Sequence, residues 1–479
     1  MKRLIIVLGV FAGLVISGIL IYLIYIGTGR EQNISTEGCT AGVAHGSVTV
    51  DGRPLYWRVS DSSEDKRFRF VCVSGSQYKY IGFRADGDGI YNGLNEAGLV
   101  LGNTSVSTPK MSTVSPTISP YRYVLEKCNS VEQIKNYIQQ EINANRCYLS
   151  GCFPVIDAKG NAVIFEINRS KEFRVYDSMD TNRQAQGLLG IVVRANGFHE
   201  RKDGTDDTNI KGRYKSGIFN ILGLRNANML SIETIIQGAG SFEVVRYGPG
   251  RQLATIARGS RKSEEIRSLS AMVIHGVASG EDPALTTMWV IAGQPNYGIA
   301  VPAWVRVSDI PQCLKSGEMY DRAMSLYEKG REKVTQASIF PAERHMLNIV
   351  ANIFLPYWRV KGVPSVEEMT RIEHRMANDA YSVLDCLDRR NAFNIAPSVK
   401  LNASASGLTV NFEVTAKDPD GTLVSTEWNF GDGQTSIETS PTHTYAAPGT
   451  YLVSCTVMDY DKVTITDWKY LSVFKQIEQ

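Results

Sequence analysis

Glu37-Gly38-Cys39-Thr40 is the stretch on which the reading of this chain turns. Before it runs an uncharged, strongly apolar segment from Leu4 to Ile26, followed by a polar tether ending at Gly38. After it come period-two, β-rich patterns: Val43 to Val50, Leu55 to Val59, Phe68 to Val73, Tyr80 to Phe83 and Gly98 to Gly102. Tyr121 to Asn143 reads as helix, with a helix start at Asn129-Ser130-Val131-Glu132. Phe153 to Asp157 and Ala162 to Asn168 read as a hairpin across Ala158-Lys159-Gly160-Asn161. Arg174 to Tyr176 and Leu188 to Val193 add strands, Leu222 to Gly238 and Gly250 to Ala257 helices, and Thr286 to Ala292 and Tyr297 to Val301 further strands. Runs of strand and helix in one long domain predict a layered α+β fold.

The totals set the frame. A chain of 479 residues has room for roughly two to four domains, and 43% hydrophobic residues can bury large cores. A formal net charge of +2 gives no electrostatic case for nucleic acid. The eight cysteines show no CxxC or Cys/His metal spacing, and no P-loop or dinucleotide fingerprint occurs, so neither metal nor cofactor is expected. Cys147 and Cys152 stand close enough to pair in an oxidising compartment; the other reading is buried thiols.

The apolar run after Met1-Lys2-Arg3 is about long enough to span a bilayer core. It lacks a small-x-small exit, which favours a retained signal anchor over a cleaved signal peptide. Lys2 and Arg3 would stay in the cytoplasm, so the rest of the chain is expected outside it, membrane-anchored or secreted.

Gly38-Cys39-Thr40, Trp57-Arg58-Val59-Ser60-Asp61, Gly93-Leu94-Asn95-Glu96-Ala97-Gly98-Leu99 and Arg194-Ala195-Asn196 follow one another in an order that resembles the N-terminal-nucleophile acylases. The group is the one with choloylglycine hydrolases, penicillin V acylases and penicillin acyl-coenzyme A acyltransferases. The resemblance covers roughly Cys39 to Val307 and implies a four-layer αββα sandwich. It also implies roles. Cys39 would be the nucleophile, Asp61 would hold its amine, and Arg58 would lie beside the thiolate. Asn196 would fill the oxyanion position and Asn103 a second position near the site. A later arginine is matched best by Arg251, with Arg258 as rival. Two departures stand out: the serine-rich approach to that arginine is missing, and Arg194-Ala195-Asn196-Gly197-Phe198-His199 lacks the expected Thr-Asn-His or Thr-Asn-Asn pattern.

The chemistry agrees with that assignment. A thiol attacks as thiolate, and a neighbouring guanidinium favours the charged form. A cysteine at a chain start carries its own α-amine as base. Gly38 offers no side chain to obstruct attack of the Cys39 thiol on its carbonyl, so self-cleavage between Gly38 and Cys39 is expected. Acyl transfer then needs preorganised donors for a tetrahedral oxyanion. A Cys-His dyad through His199 or His275 is the competing arrangement, but no papain-like sequence surrounds Cys39.

Beyond the acylase region, Met319 to Ala337, Ala342 to Leu355 and Ser365 to Leu387 carry helical periodicity, with a break expected at Pro356 and Pro364. They read as a structural cap and spacer. After the linker Asn394-Ile395-Ala396-Pro397, alternating strands are separated by Trp428-Asn429-Phe430-Gly431-Asp432-Gly433, Pro441-Thr442-His443-Thr444-Tyr445 and Pro448-Gly449-Thr450-Tyr451. This resembles a polycystic-kidney-disease (PKD) domain, an immunoglobulin-like sandwich that implies surface protein or glycan contact and an exported chain.

The expected organisation is an anchor over 1–30, a propeptide tether over 31–38, an acylase domain over 39–312, a helical extension over 313–394 and the PKD sandwich over 395–476. The expected partners are a small N-acyl amide substrate and the membrane, and a homo-oligomer is allowed. The expected reaction is hydrolysis of a linear amide through an acyl-Cys39 thioester. The alternatives are transfer to an amine acceptor, or a surface adhesion protein with a non-catalytic acylase-like domain.

Overall fold

The computed structural model describes residues 37–62, 66–85, 90–104, 119–145, 149, 151–167, 173–182, 188–194, 221–241, 267–330, 332–390 and 393–475. The expected anchor (1–30), Cys147, Asn196, His199, Arg251 and Arg258 lie outside the described residues. Among the described residues no helix is long and apolar enough to cross a membrane.

The strands of the first region are β1 (Glu37–Ala44), β2 (Leu55–Ser62), β3 (Phe68–Val73), β4 (Tyr80–Ala85), β5 (Ile90–Asn95), β6 (Val100–Leu101), β7 (Gly151–Ile156), β8 (Ala162–Ile167), β9 (Phe173–Asp177), β10 (Ile191–Arg194), β11 (Arg267–His275), β12 (Thr287–Ala292) and β13 (Val301–Ala303). They form two antiparallel sheets, one ordered β10-β1-β2-β11-β12-β13 and the other a meander from β3 to β9. β1 begins at Glu37, so the last two residues of the expected tether already belong to a strand, paired with Ser62 and Asp61.

Period-two alternation sorts the meander sheet into two faces. Cys152 and Ile156 of β7, Ala162 and Ile164 of β8, and Ile81 and Phe83 of β4 point into the core between the sheets. Phe153, Val155, Val163, Phe165 and Ile167 point outward, where they meet α1 (Pro120–Lys127) and α2 (Val131–Asn143) through Val124, Leu125, Ile134 and Ile138. β2 is buried at every position, because helices cover the other face of its sheet as well. One of these is α3 (Ile232–Ser241), which packs on β11. Helix, sheet, sheet and helix make the four-layer αββα sandwich.

The helical run expected over Tyr121–Asn143 is two helices, the second starting at Val131 within the expected start Asn129–Glu132. Ser130 ends the gap between them and caps α2, its Oγ accepting from Gln133 N–H at 3.4 Å. The expected strand over Tyr297–Val301 is β13, and it begins only at Val301.

The helical extension comprises α4 (Gln312–Lys315), α5 (Glu318–Glu328), α6 (Glu332–Ile349), α7 (Leu355–Lys361) and α8 (Val366–Arg390). The break expected between Leu355 and Ser365 falls at its Pro364 end, over residues 362–365, rather than at Pro356. A π-turn over Val350–Phe354 absorbs the missing amide, Pro356 sits in the first turn of α7, and the break begins at Gly362, whose φ is +88°.

The C-terminal sandwich pairs β14 (Ser398–Ser406), β15 (Thr409–Lys417) and β18 (Thr442–Thr444) in one sheet. It pairs β17 (Thr435–Ser436), β16 (Leu423–Asn429), β19 (Gly449–Asp459) and β20 (Thr464–Val473) in the other. Trp428 is fully buried between them. β20 docks on the helical extension. Tyr357 and Tyr470 stack at 3.6 Å, Phe354 stacks on Trp358 at 5.1 Å and meets Trp468 edge-on at 5.7 Å, and Trp358 Nε1 donates to the Tyr470 hydroxyl at 2.7 Å. Thr464 donates to Asp379 on α8 at 2.7 Å. The helices are thus a wedge shared by both domains, and Leu452, Val457, Ile465 and Trp468 join the same apolar core as β2 and β11.

Candidate active site

Cys39 is the third residue of β1, a strand held on both sides by β10 and β2. On β2 its partner is Ser60; Gly38 faces Asp61, and Ala41 faces Arg58. Opposed residues of an antiparallel pair share a face. Cys39, Ala41, Arg58 and Ser60 therefore project together, and the small Ala41 leaves room for the guanidinium. Arg58 Nη2 donates to Cys39 Sγ at 3.2 Å, and Nη1 donates to Ser60 Oγ. Cys39 is 3% and Arg58 7% exposed, so the charge and the sulfur meet away from bulk water.

The rest of the guanidinium is spent on Asn103. Arg58 Nε donates to the Asn103 carbonyl at 2.5 Å, and Nη2 donates to Asn103 Oδ1 at 3.2 Å. Asn103 Nδ2 donates to the Tyr121 hydroxyl at 2.9 Å, which fixes which end of the amide faces Arg58. The Asn103 backbone N–H donates to Asn92 Oδ1 at 3.2 Å, and Asn92 also accepts from the Tyr56 hydroxyl at 3.4 Å. Burial pushes the Tyr56 phenol well up, so it stays a donor. The adjoining Gly102 is required by contact: a Cβ there would lie 1.9 Å from the Tyr56 hydroxyl.

Asp61 is buried and accepts from Ser268 Oγ at 2.6 Å. A β-bulge makes this contact. β11 pairs Ser270 with Ser60 and Ser268 with Asp61, so Leu269 is skipped.

Cys39, Arg58, Asp61 and Asn103 therefore lie along β1, β2 and the segment after β6. Asn196 and Arg251 lie outside the described residues. Arg194, two positions before Asn196, ends β10 opposite Ala41 and forms a buried ion pair with Glu166. His275 does not approach Cys39. It pairs with Leu55, five positions along β2 from Ser60, or about 16 Å at strand rise. Its Nε2 lies 2.7 Å from Asp51 Oδ2, and its pKa is lowered by burial and then by Arg53. Burial raises the thiols of Cys72, Cys128, Cys152, Cys313 and Cys455, Cys128 to about 11 and the last three to about 12.

The Gly93-to-Leu99 element is a structural turn rather than a reacting group. Asn95 Oδ1 accepts from Ala97 and Leu99 N–H at 3.1 and 3.0 Å, and Nδ2 donates to the carbonyls of Leu125 and Cys128 at 3.0 and 2.8 Å. A cleft of about 490 Å³ lined by Lys79, Glu96, Thr286 and Arg306 lies at the His275 end of the sandwich, not at Cys39. The sequence reading missed Ser60, Asn92, Tyr121 and Ser268. Only Ser60 carried a local signal, two residues from Arg58 on the same strand face; the others are brought in by long-range folding.

Residues 53–210 match the family described as acyl-coenzyme A:6-aminopenicillanic acid acyl-transferase, and residues 394–472 match the PKD domain. Cys39 precedes the first matched region. The pre-pro-metalloprotease PrtV of Vibrio cholerae serotype O1 (strain M66-2) is 46% identical over 66 residues, 14% of this chain and 7% of the relative. The microbial collagenase of Vibrio alginolyticus is 41% identical over 78 residues, 15% of this chain and 10% of the relative. The chain thus spans a tenth or less of the length of these relatives. Among solved structures, a conjugated bile acid hydrolase mutant from Clostridium perfringens aligns over 55% of this chain and 92% of its own, at 17% identity and a TM-score of 0.33. The chain thus joins a region that matches an acyl-transferase family model, residues 53–210, to a PKD domain at residues 394–472.

Proposed function

We propose that the chain is an exported, self-processed cysteine amidohydrolase acting on linear N-acyl amides. The observation that carries this reading is the Arg58 guanidinium, 3.2 Å from the Cys39 sulfur and shared with Asn103. A buried positive charge against sulfur supports thiolate chemistry, and strand pairing brings Asp61 opposite Gly38. In processing, the Cys39 sulfur bonds to the Gly38 carbonyl carbon and the Gly38–Cys39 C–N bond breaks. Water then hydrolyses the thioester and leaves Cys39 as a free chain start. In turnover the sulfur attacks the substrate amide carbonyl, the amine departs with a proton, and water takes the acyl group from the thioester. Asn103, Asn196 and Arg251 are proposed to stabilise charge and orient substrate. Export rests on the N-terminal apolar run and on PKD relatives that are a metalloprotease and a collagenase. The PKD surface is proposed for protein or glycan contact.

Transfer to an amine acceptor is a second reading, favoured because the family matched over 53–210 is named as an acyl-transferase. The test is intact mass and N-terminal sequencing of the folded ectodomain, then amide cleavage by wild type and Cys39→Ala. A chain starting at Cys39, and activity lost with the thiol, support the proposal. Gly38 remaining attached in an active enzyme overturns it. Acyl products formed with and without an added amine separate hydrolysis from transfer.

A further inference from the structure

We infer that Ser268 is a positioning residue for this reaction, fixing the Asp61 carboxylate beside the amine end of Cys39; the inference rests on the proposed cysteine mechanism. Three observations carry it. Ser268 Oγ donates to Asp61 Oδ1 at 2.6 Å, a charge-assisted distance. The two groups are 1% and 8% exposed, so the hydrogen bond is made away from bulk water, where removing the hydroxyl costs more than at a surface. The contact is also built by a departure from regular pairing. With Ser270 opposite Ser60, an unbroken ladder would set Leu269 against Asp61. The bulge skips that leucine and delivers a hydroxyl instead.

The consequence is geometric. Asp61 lies on the central strand between Ser268 on one side and Gly38 on the other. Oδ1 is held toward β11, which restricts rotation of the carboxylate about its last torsion and sets the bearing of Oδ2. Once Cys39 is the chain start, that carboxylate orients its amine, which takes the proton from the thiol and returns it to the leaving amine. Ser268 stands on β11, separated from β1 and Cys39 by β2, so its proposed action runs through Asp61.

The experiment uses the processed enzyme and an N-acyl amino acid that wild type cleaves. Ser268→Ala is expected to lower kcat about tenfold or more while KM stays within about twofold, the loss of one hydrogen bond to a charged group. Ser268→Thr keeps the hydroxyl and suits a strand, and is expected to restore most of kcat. If Ser268→Ala does not fold, Ser268→Cys against Ser268→Thr carries the same comparison, size kept and the strong donor lost. Unchanged kcat in Ser268→Ala, or in the fallback in Ser268→Cys, overturns the inference. So does an equal loss in the replacement tested and in Ser268→Thr with a matching fall in melting temperature, which marks a structural role. Cys39→Ala run alongside separates the two ideas: full activity there sinks the cysteine mechanism itself.

Discussion

Replacing Glu373 with Gln should flatten the pH dependence of stability. Glu373 lies on α8, fully buried where the helical extension meets the chain after β13. Its Oε2 accepts from the Trp304 N–H at 2.8 Å, and its Oε1 has no hydrogen-bond partner among the described residues. Burial raises its pKa from 4.5 to about 8, against the smaller opposing pull of the Trp304 hydrogen bond and the Lys79 charge. The unfolded chain gives up this proton near pH 4.5, whereas the folded chain keeps it until about 8. Between those values the folded state binds more protons, so stability falls as pH rises. Each unit is about 1.4 kcal/mol. From pH 5 to pH 8 the wild type should therefore lose about 3.5 kcal/mol that the Gln variant keeps. Denaturant midpoints of both chains at half-unit steps from pH 5 to 8.5 measure it, because other titrating groups cancel in the difference. Curves that run parallel would refute the reasoning. A wild type that gains on the variant toward pH 8 would show the carboxylate ionised and paired with Lys79.

Arg58→Ala should cut kcat/KM about 10- to 150-fold, from losing a charged donor worth about 1.5–3 kcal/mol, with the fold kept by thermal melting. Gly102→Ala should cost about 1–3 kcal/mol in denaturant stability and lower activity together, because its Cβ would displace the Tyr56 hydroxyl and the strand end that carries Asn103. Trp468→Ala should destabilise by about 3–5 kcal/mol. Calorimetry should show the acylase and PKD regions melting together in wild type, and separate transitions there would count against the shared core.

The parts of this chain that were legible in sequence are those whose signal is local. Period-two alternation gave β7 and β8 and their two faces, because a strand exposes its partition every second residue. The Trp428 element and its glycine turn announced the C-terminal sandwich. That Cys39, Arg58 and Asp61 come together was legible because all three stand on two adjacent strands, where spacing along the chain maps onto spacing across the ladder. The helix boundaries were less so. Pro356 looked like a break, yet a π-turn just before it removes the clash that a proline imposes inside a regular helix. Asn95 makes the converse point. It stands in the element that helped identify the fold, but both ends of its amide are consumed in tying β5 to α1. Such an asparagine marks a fold without acting in its chemistry.

The same distinction explains why Ser268, Tyr121 and Asn92 were invisible. Each acts on a site residue held far away in sequence, Ser268 across 207 positions from Asp61. No periodicity within β11 distinguishes Ser268 from Ser270; only the skipped Leu269 does, and a bulge is written in the pairing of two strands rather than in either one. The catalytic reading therefore depends on two kinds of information that cannot replace each other. Local sequence brings thiol and guanidinium to one face, and tertiary register decides which hydroxyl or amide holds the carboxylate and Asn103 in place. A homologous sequence with Cys39 and Arg58 intact but without the bulge would set leucine against the carboxylate. On this argument it would keep the nucleophile and lose the orientation of its base.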